Sequence, residues 1–165
     1  MTLTEIAAGS AVFIDANIFI YHFAGQSEEC SSFLASVERG EVRDFTGPVS
    51  VLQVAHRLMM LEAIEQGFSM KPNPAARLAR QPRLVRRLSK YYFSLLRIPK
   101  LGIEVLPLPQ EFLAASQEFR QSHRLLVNDS LVPMHMRQAA LSILASADEA
   151  FDQIPGVQRF HPADV

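Results

Sequence analysis

Three aspartates in this chain sit where an α/β protein does chemistry on charged substrates. Asp15 ends the short apolar run Ala11-Val-Phe-Ile, Asp129 follows Asn128 at a predicted helix start, and Asp148 follows the strand-like stretch Ser142 to Ala147. Ligands of open parallel sheets bind outside the carboxyl ends of the strands. Asp15 and Asp148 are therefore expected to converge there, with a helix opening at Asn128 aiming Asp129 into the same cleft. Gathered carboxylates repel each other, and a cation relieves the repulsion. Hard oxygen donors select Mg²⁺ or Mn²⁺, and such an ion acidifies bound water and stabilises charge on a scissile phosphate. Taken singly, each acid also reads as a turn residue or a helix cap, and Asn128-Asp129 is an ordinary N-cap signal. Only the joint placement points to a metal site.

The elements that must position these acids follow from apolar spacing. Short strands are predicted at Ala11 to Asp15, Phe45 to Val49, Ile103 to Leu106, Ser142 to Ala147 and Val157 to Phe160, the second weakened by Gly47 and Pro48. Between them, Asn17 to Phe23 reads as a short helix or turn. Ser27 caps a helix bearing Cys30, Phe33, Leu34 and Val37 that stops near Gly40, and Ser50 caps one running to Gly67. Residues 68–82, with Pro72, Pro74 and Pro82, read as a loop. Leu84 to Leu96 reads as one basic amphipathic helix, and Gln110 to Ser122 and Asn128 to Ala140 as two more. Pro133 would fall just past the first turn of the last helix, predicting a kink or a later start. Strands alternating with helices imply a three-layer α/β/α fold around a parallel sheet of four to five strands, in a single domain spanning residues 1–165.

Composition narrows the function. The chain has 165 residues, 48% of them hydrophobic and 20% charged, which suits one globular domain. Its lone cysteine, Cys30, excludes an internal disulfide, and its place on an apolar helix face reads as a core thiol. The first residues lack a secretory pattern and no run approaches a membrane span, so a cytoplasmic protein is expected. His22, His56, His123, His135 and His161 show no metal-ligand spacing and read as structural or exposed. There is no glycine-rich phosphate loop.

The net charge of −1 conceals a division. No Asp or Glu occurs from Gln66 through Ile103, a stretch with 9 of the 16 basic residues, which leaves 7 basic against 17 acidic residues elsewhere. Within this segment, about residues 68–100, Arg77, Arg80, Arg83, Arg86, Arg87 and Lys90 are candidates to track an RNA phosphate backbone, because guanidinium forks suit phosphate. Tyr91 or Tyr92 could stack on a base. The alternative is a solvated helix face with the tyrosines turned inward.

Several motifs carry a resemblance. Val12-Phe-Ile-Asp-Ala-Asn-Ile-Phe-Ile-Tyr21 resembles the opening strand of PIN domains, where an apolar strand delivers Asp-x-Asn. Leu126-Val-Asn-Asp-Ser130 resembles their central helix start. Leu144-Ala-Ser-Ala-Asp-Glu-Ala-Phe151, with Ile154-Pro-Gly-Val157 and Pro162, resembles their closing segment. The resemblance implies a metal-dependent endoribonuclease using Mg or Mn, with Asp15, Asp129 and Asp148 as metal ligands. It makes Asn17 a support for the first acid and Ser50 a small polar residue at the third helix. Many small members are VapC-type toxins, commonly dimeric and silenced by an antitoxin, whose acidic segment could also use the basic surface.

One position departs from the pattern. Val49-Ser-Val-Leu-Gln-Val-Ala-His-Arg-Leu-Met59 resembles the helix that normally carries a catalytic glutamate, and the matching residue is Gln53. Glutamine keeps the shape but loses the charge, so it is a poorer ligand and no base. Either Gln53 is an inactivating substitution, natural or engineered, or three acids suffice with help from Glu149 or Asp152, the latter one helical turn past Asp148. The competing function is a silent PIN module that binds RNA or a protein. A phosphoryl-accepting domain of haloacid-dehalogenase type is disfavoured, because Asn17 stands where its second Asp belongs.

Overall fold

The computed structural model describes residues 1–68 and 73–165. Five strands, β1 (Ala11–Ile14), β2 (Arg43–Thr46), β3 (Glu104–Val105), β4 (Ile143–Ala145) and β5 (Gln158–Phe160), form one sheet in the order β3-β2-β1-β4-β5. Every pairing is parallel. The predicted three-layer α/β/α architecture is thus the observed one. β1 lies between β2 and β4, so the chain reverses its direction of travel across the sheet at β1, and such a switch point leaves a crevice at the strand ends.

Alternation along β1 sets the two faces. Val12 and Ile14 join a core with α1 (Ala16–Phe23), α2 (Glu28–Glu38) and α3 (Pro48–Glu65), through Ile18, Phe19, Cys30, Leu34 and Val54. Phe13, with Phe45 and Leu144, packs on the opposite face against α7 (Glu111–Ala115), α8 (Gln117–His123) and α9 (Leu131–Gln138). Cys30 is fully buried, and burial pushes its thiol up to about 11, as a core thiol requires. No helix among the described residues is long and apolar enough to cross a membrane.

Several boundaries differ from expectation. β2 ends at Thr46, short of Val49, because Gly47 is the N-cap of α3 and Pro48 its first residue, a position that suits proline. Gly47 also passes so close to His135 that a Cβ would lie 2.9 Å from the imidazole. Ser50 is therefore not the cap. It lies buried inside the first turn of α3.

The stretch read as a loop contains α4 (Pro74–Ala79), again with proline at its start, whereas its residues 69–72, with Lys71 and Pro72, lie outside the described residues. The basic helix predicted over Leu84 to Leu96 is broken into α5 (Pro82–Val85) and α6 (Lys90–Leu95). The cause is Glu62 of α3, whose buried carboxylate accepts from the amides of Ser89 (2.8 Å) and Tyr91 (3.0 Å) and starts α6 afresh. Leu88 turns inward at the break, joining Met60, Ala63, Phe68 and Leu78 in a third, smaller core. Likewise the helix predicted from Gln110 divides at Ser116, whose buried hydroxyl donates back to the Leu113 carbonyl (3.1 Å).

Asp44, on β2, is buried, and its Oδ1 has no hydrogen-bond partner. Desolvation pushes its carboxyl up to about 7. An unfolded aspartate titrates near ~4, so between that pH and about 7 the unfolded chain releases a proton that the folded chain keeps. Stability therefore falls as pH rises through this window and levels off above it. Asp44→Asn removes the ionisation. Its melting temperature is expected to exceed the parent's at pH ~8 and to converge on it towards pH ~4. Thermal unfolding followed by circular dichroism across that range tests this, and a pH-independent difference would refute it.

Candidate metal-binding cleft

Asp15 is the residue on which the site is built. It leaves β1 and serves as N-cap of α1, with Oδ1 accepting from the Ala16 amide at 2.7 Å. Its Oδ2 accepts from Asn17 Nδ2 (2.7 Å) and from the Ser146 hydroxyl (2.8 Å). Asn17 also donates to Ser146 Oγ (3.0 Å), and its carbonyl oxygen accepts from the Ala147 amide (3.1 Å). Asn17 thus supports the first acid and ties the end of β1 to the end of β4.

Asp148 caps a 3-10 turn (Glu149–Gln153), its Oδ1 accepting from the Ala150 amide at 2.9 Å. Its own amide donates to Ser146 Oγ (3.1 Å), so one serine hydroxyl positions two acids. Asp129 lies in a turn ahead of α9, which begins at Leu131 rather than Asn128. Of the two outcomes Pro133 predicts, a kink or a later start, the later start is observed, and Pro133 falls in the first turn, where a missing N–H is tolerated. Arg120 braces that turn by donating to Ser130 Oγ (3.0 Å), while Ser130 donates to the Val127 carbonyl (2.7 Å).

Asp15, Asp129 and Asp148 line one cleft of about 340 Å³ at the carboxyl edge of the sheet, with Asn17 and Gln53. Burial raises the Asp15 carboxyl to about 6. Its hydrogen bonds oppose the shift, whereas the charges of Asp129 and Asp148 add to it. Asp129 is also raised, by burial first and by Asp148 second. Among the described residues no three acidic, His or Cys side chains form a ready-made metal cage. Hard cations such as Mg²⁺ keep several waters and need only one or two protein carboxylates, so an all-oxygen, mutually repelling donor set is compatible with one.

The other predicted residues separate. Asn128 is exposed and, like Ser50, is not among the described residues lining the cleft. Asp152 does not turn towards the cleft as helical spacing suggested. Its carboxylate is held in a two-pronged pair with Arg159 (2.7 Å for both bonds), and Arg159 also donates to the Ser146 carbonyl (3.2 Å). Glu149 is likewise absent from the described lining. Lys90 pairs with Glu65 (2.8 Å), and Tyr91 packs inward, leaving Tyr92 exposed.

Several lining residues were not anticipated from the sequence, two of them with polar groups suited to the site. His56 and Arg57 reach the cleft wall from α3, three and four residues past Gln53, and that helical spacing was the available signal. Ser146 was also missed, since a lone serine two residues before an acid carries no distinctive pattern. Because the Ser146 hydrogen bond lowers the Asp15 carboxyl, Ser146→Ala is expected to raise its pKa. Titration of the Asp15 side-chain carboxyl by carbon NMR measures this, and an unchanged midpoint would contradict the assignment.

Comparison with known proteins agrees with the fold. Ribonuclease VapC2 of Methanocaldococcus jannaschii is 24% identical over 143 residues, covering 87% of this chain and 88% of that protein. Among solved structures, VapBC2 from Rickettsia felis bound to a DNA fragment from its promoter superposes with a TM-score of 0.57 at 11% identity, covering 92% of this chain and 98% of the other. A toxin-antitoxin complex from Klebsiella pneumoniae gives 0.52 at 19%, covering 90% and 96%. These two likenesses speak for the fold. The family model described as PIN domain matches residues 12–157, and with most of the sequence inside that match, the chain belongs to the PIN-domain family.

Proposed function

We propose that this chain is a divalent-metal-dependent endoribonuclease, the toxin of a toxin–antitoxin pair. The observation that carries the proposal is the convergence of Asp15, Asp129 and Asp148 on one cleft, where Asp129 and Asp148 raise the proton affinity of Asp15 and Asp148 raises that of Asp129. The name of the archaeal relative supports ribonuclease chemistry, and the titles of the two structural neighbours support an antitoxin as partner.

Asp15, Asp129 and Asp148 would hold Mg²⁺ or Mn²⁺, which supplies Lewis acidity and a more acidic bound water. The chain's own residues do the rest. Ser146 and Asn17 fix the Asp15 carboxylate so that little reorganisation accompanies binding. Arg57, exposed on the cleft wall, offers a guanidinium to the scissile phosphate. Gln53 faces the same space and, being uncharged, orients a water or phosphate oxygen by hydrogen bonding without accepting its proton.

Gln53 also motivates the second reading, a PIN module that binds RNA without cutting it. Incubating a mixed RNA pool with and without Mn²⁺ separates the two. The nuclease reading expects metal-dependent cleavage that Asp129→Asn abolishes and Gln53→Glu increases about tenfold or more, a scale typical of a positioned acid–base group. Metal-independent cleavage would sink the nuclease reading. No cleavage by the parent, with activity gained in Gln53→Glu, would establish the silent module.

A further inference from the structure

The cleft leaves the chain's most basic segment unused. At the far end of α3, a groove of about 690 Å³ is lined by Arg77, Arg80, Arg83 and Arg87, together with Gln66, Phe68 and Gln81. No carboxylate is among the described residues lining it. Arg80, Arg83 and Arg87 are exposed and take part in none of the ion pairs among the described residues. The Arg77 guanidinium lies over the Phe68 ring, 5.4 Å from its centre. Four like charges converging on one concavity raise its potential and favour a polyanion there.

We propose that this groove is an exosite for the phosphate backbone of the single-stranded RNA that the carboxylate cleft takes. The proposal rests on the nuclease reading above for its substrate. The connection between the two places is α3. Gln53 in the cleft and Gln66 in the groove are 13 residues apart, about 20 Å along a helix at ~1.5 Å per residue. A strand running beside α3 spans that with about six stacked nucleotides at ~3.4 Å each. Guanidinium forks match phosphate oxygens in pairs, and contacts to the backbone carry no sequence information, so such a wall of positive charge holds any sequence. The segment is also anchored against the body. Glu62 grips the start of α6, and Phe68, Leu78 and Leu88 share one small core, so the arginines are presented on a packed surface. Arg86 lies outside the described lining, and Lys90 is paired with Glu65; neither belongs to the exosite.

The test uses the full chain carrying Asp129→Asn, so that RNA is bound and not consumed. Fluorescence anisotropy with a labelled single-stranded RNA of about twelve nucleotides is recorded from roughly 50 to 200 mM KCl. Adding Arg80→Ala, Arg83→Ala and Arg87→Ala together is expected to weaken binding about tenfold or more. It should also flatten the slope of log K against log salt by about 2, at ~0.7 per lost phosphate contact. The corresponding triple Lys variant is expected to keep most of the salt slope. A labelled trinucleotide, too short to reach from the cleft, is expected to bind all variants alike.

Unchanged affinity and slope in the triple Ala variant would overturn the proposal. So would equal losses for the trinucleotide and the longer RNA. A poly-glutamate peptide that binds more tightly than RNA and displaces it would overturn it in favour of an acidic protein partner. Cleavage by the parent is scored separately. Arginine-dependent binding without cleavage supports the groove while removing the nuclease reading, and cleavage without arginine dependence does the reverse.

Discussion

The site depends on one buried carboxylate accepting three hydrogen bonds. Asp15 follows the central strand, caps the next helix, and accepts from Ser146 just past the neighbouring strand and from Asn17 on its own helix. A buried carboxylate without those donors would be neutral or would destabilise the fold. With them it remains an acid that titrates near 6, within reach of a modest change in its surroundings. The same bonds that make Asp15 tolerable to the fold join β1 to β4 and bring Asp148 alongside through the shared serine hydroxyl. Structure and chemistry here have a common cause, because the donors that stabilise the strand ends also set the affinity of the cleft for positive charge.

The features readable from sequence are those with a local cause. The apolar run into Asp15, the later start of α9 beside Pro133 and the buried Cys30 each follow from a few consecutive residues, and the parallel sheet follows from the alternation of such short strands with helices. The misreadings share another cause, which is long-range contact. Nothing near Leu88 announces that a glutamate 26 residues earlier accepts two amides from the next turn, and that contact divides the basic helix. Asp152 has the right spacing to face the cleft, yet Arg159 on β5 offers it a bidentate partner, and a charge-assisted pair outweighs a helical periodicity that a 3-10 turn does not keep. Pro74 and Pro82 were read as loop markers and Pro48 as a weakness within a strand, whereas each of the three opens a helix. Proline fixes φ at a helical value and its missing N–H is harmless at that position, so the same residue both breaks and begins helices depending on which side the chain approaches from.

The charge asymmetry acquires a spatial meaning from α3. Near its middle α3 presents Gln53, His56 and Arg57 to a cleft of three aspartates, and just past its end Gln66 borders four arginines. A single rigid helix therefore separates a place that repels phosphate from one that attracts it. On the proposed reading, a polyanion meeting this surface would be held by the arginines and would approach the carboxylates only where a cation or Arg57 offsets their charge. This explains why an uncharged side chain at position 53 is tolerable in such a cleft. A glutamate there would add a fourth negative charge beside Asp15 and Asp129, both of which already have raised proton affinity, and it would require tighter cation binding to offset it. Glutamine lowers that demand and, being uncharged, gives up the capacity to act as a base.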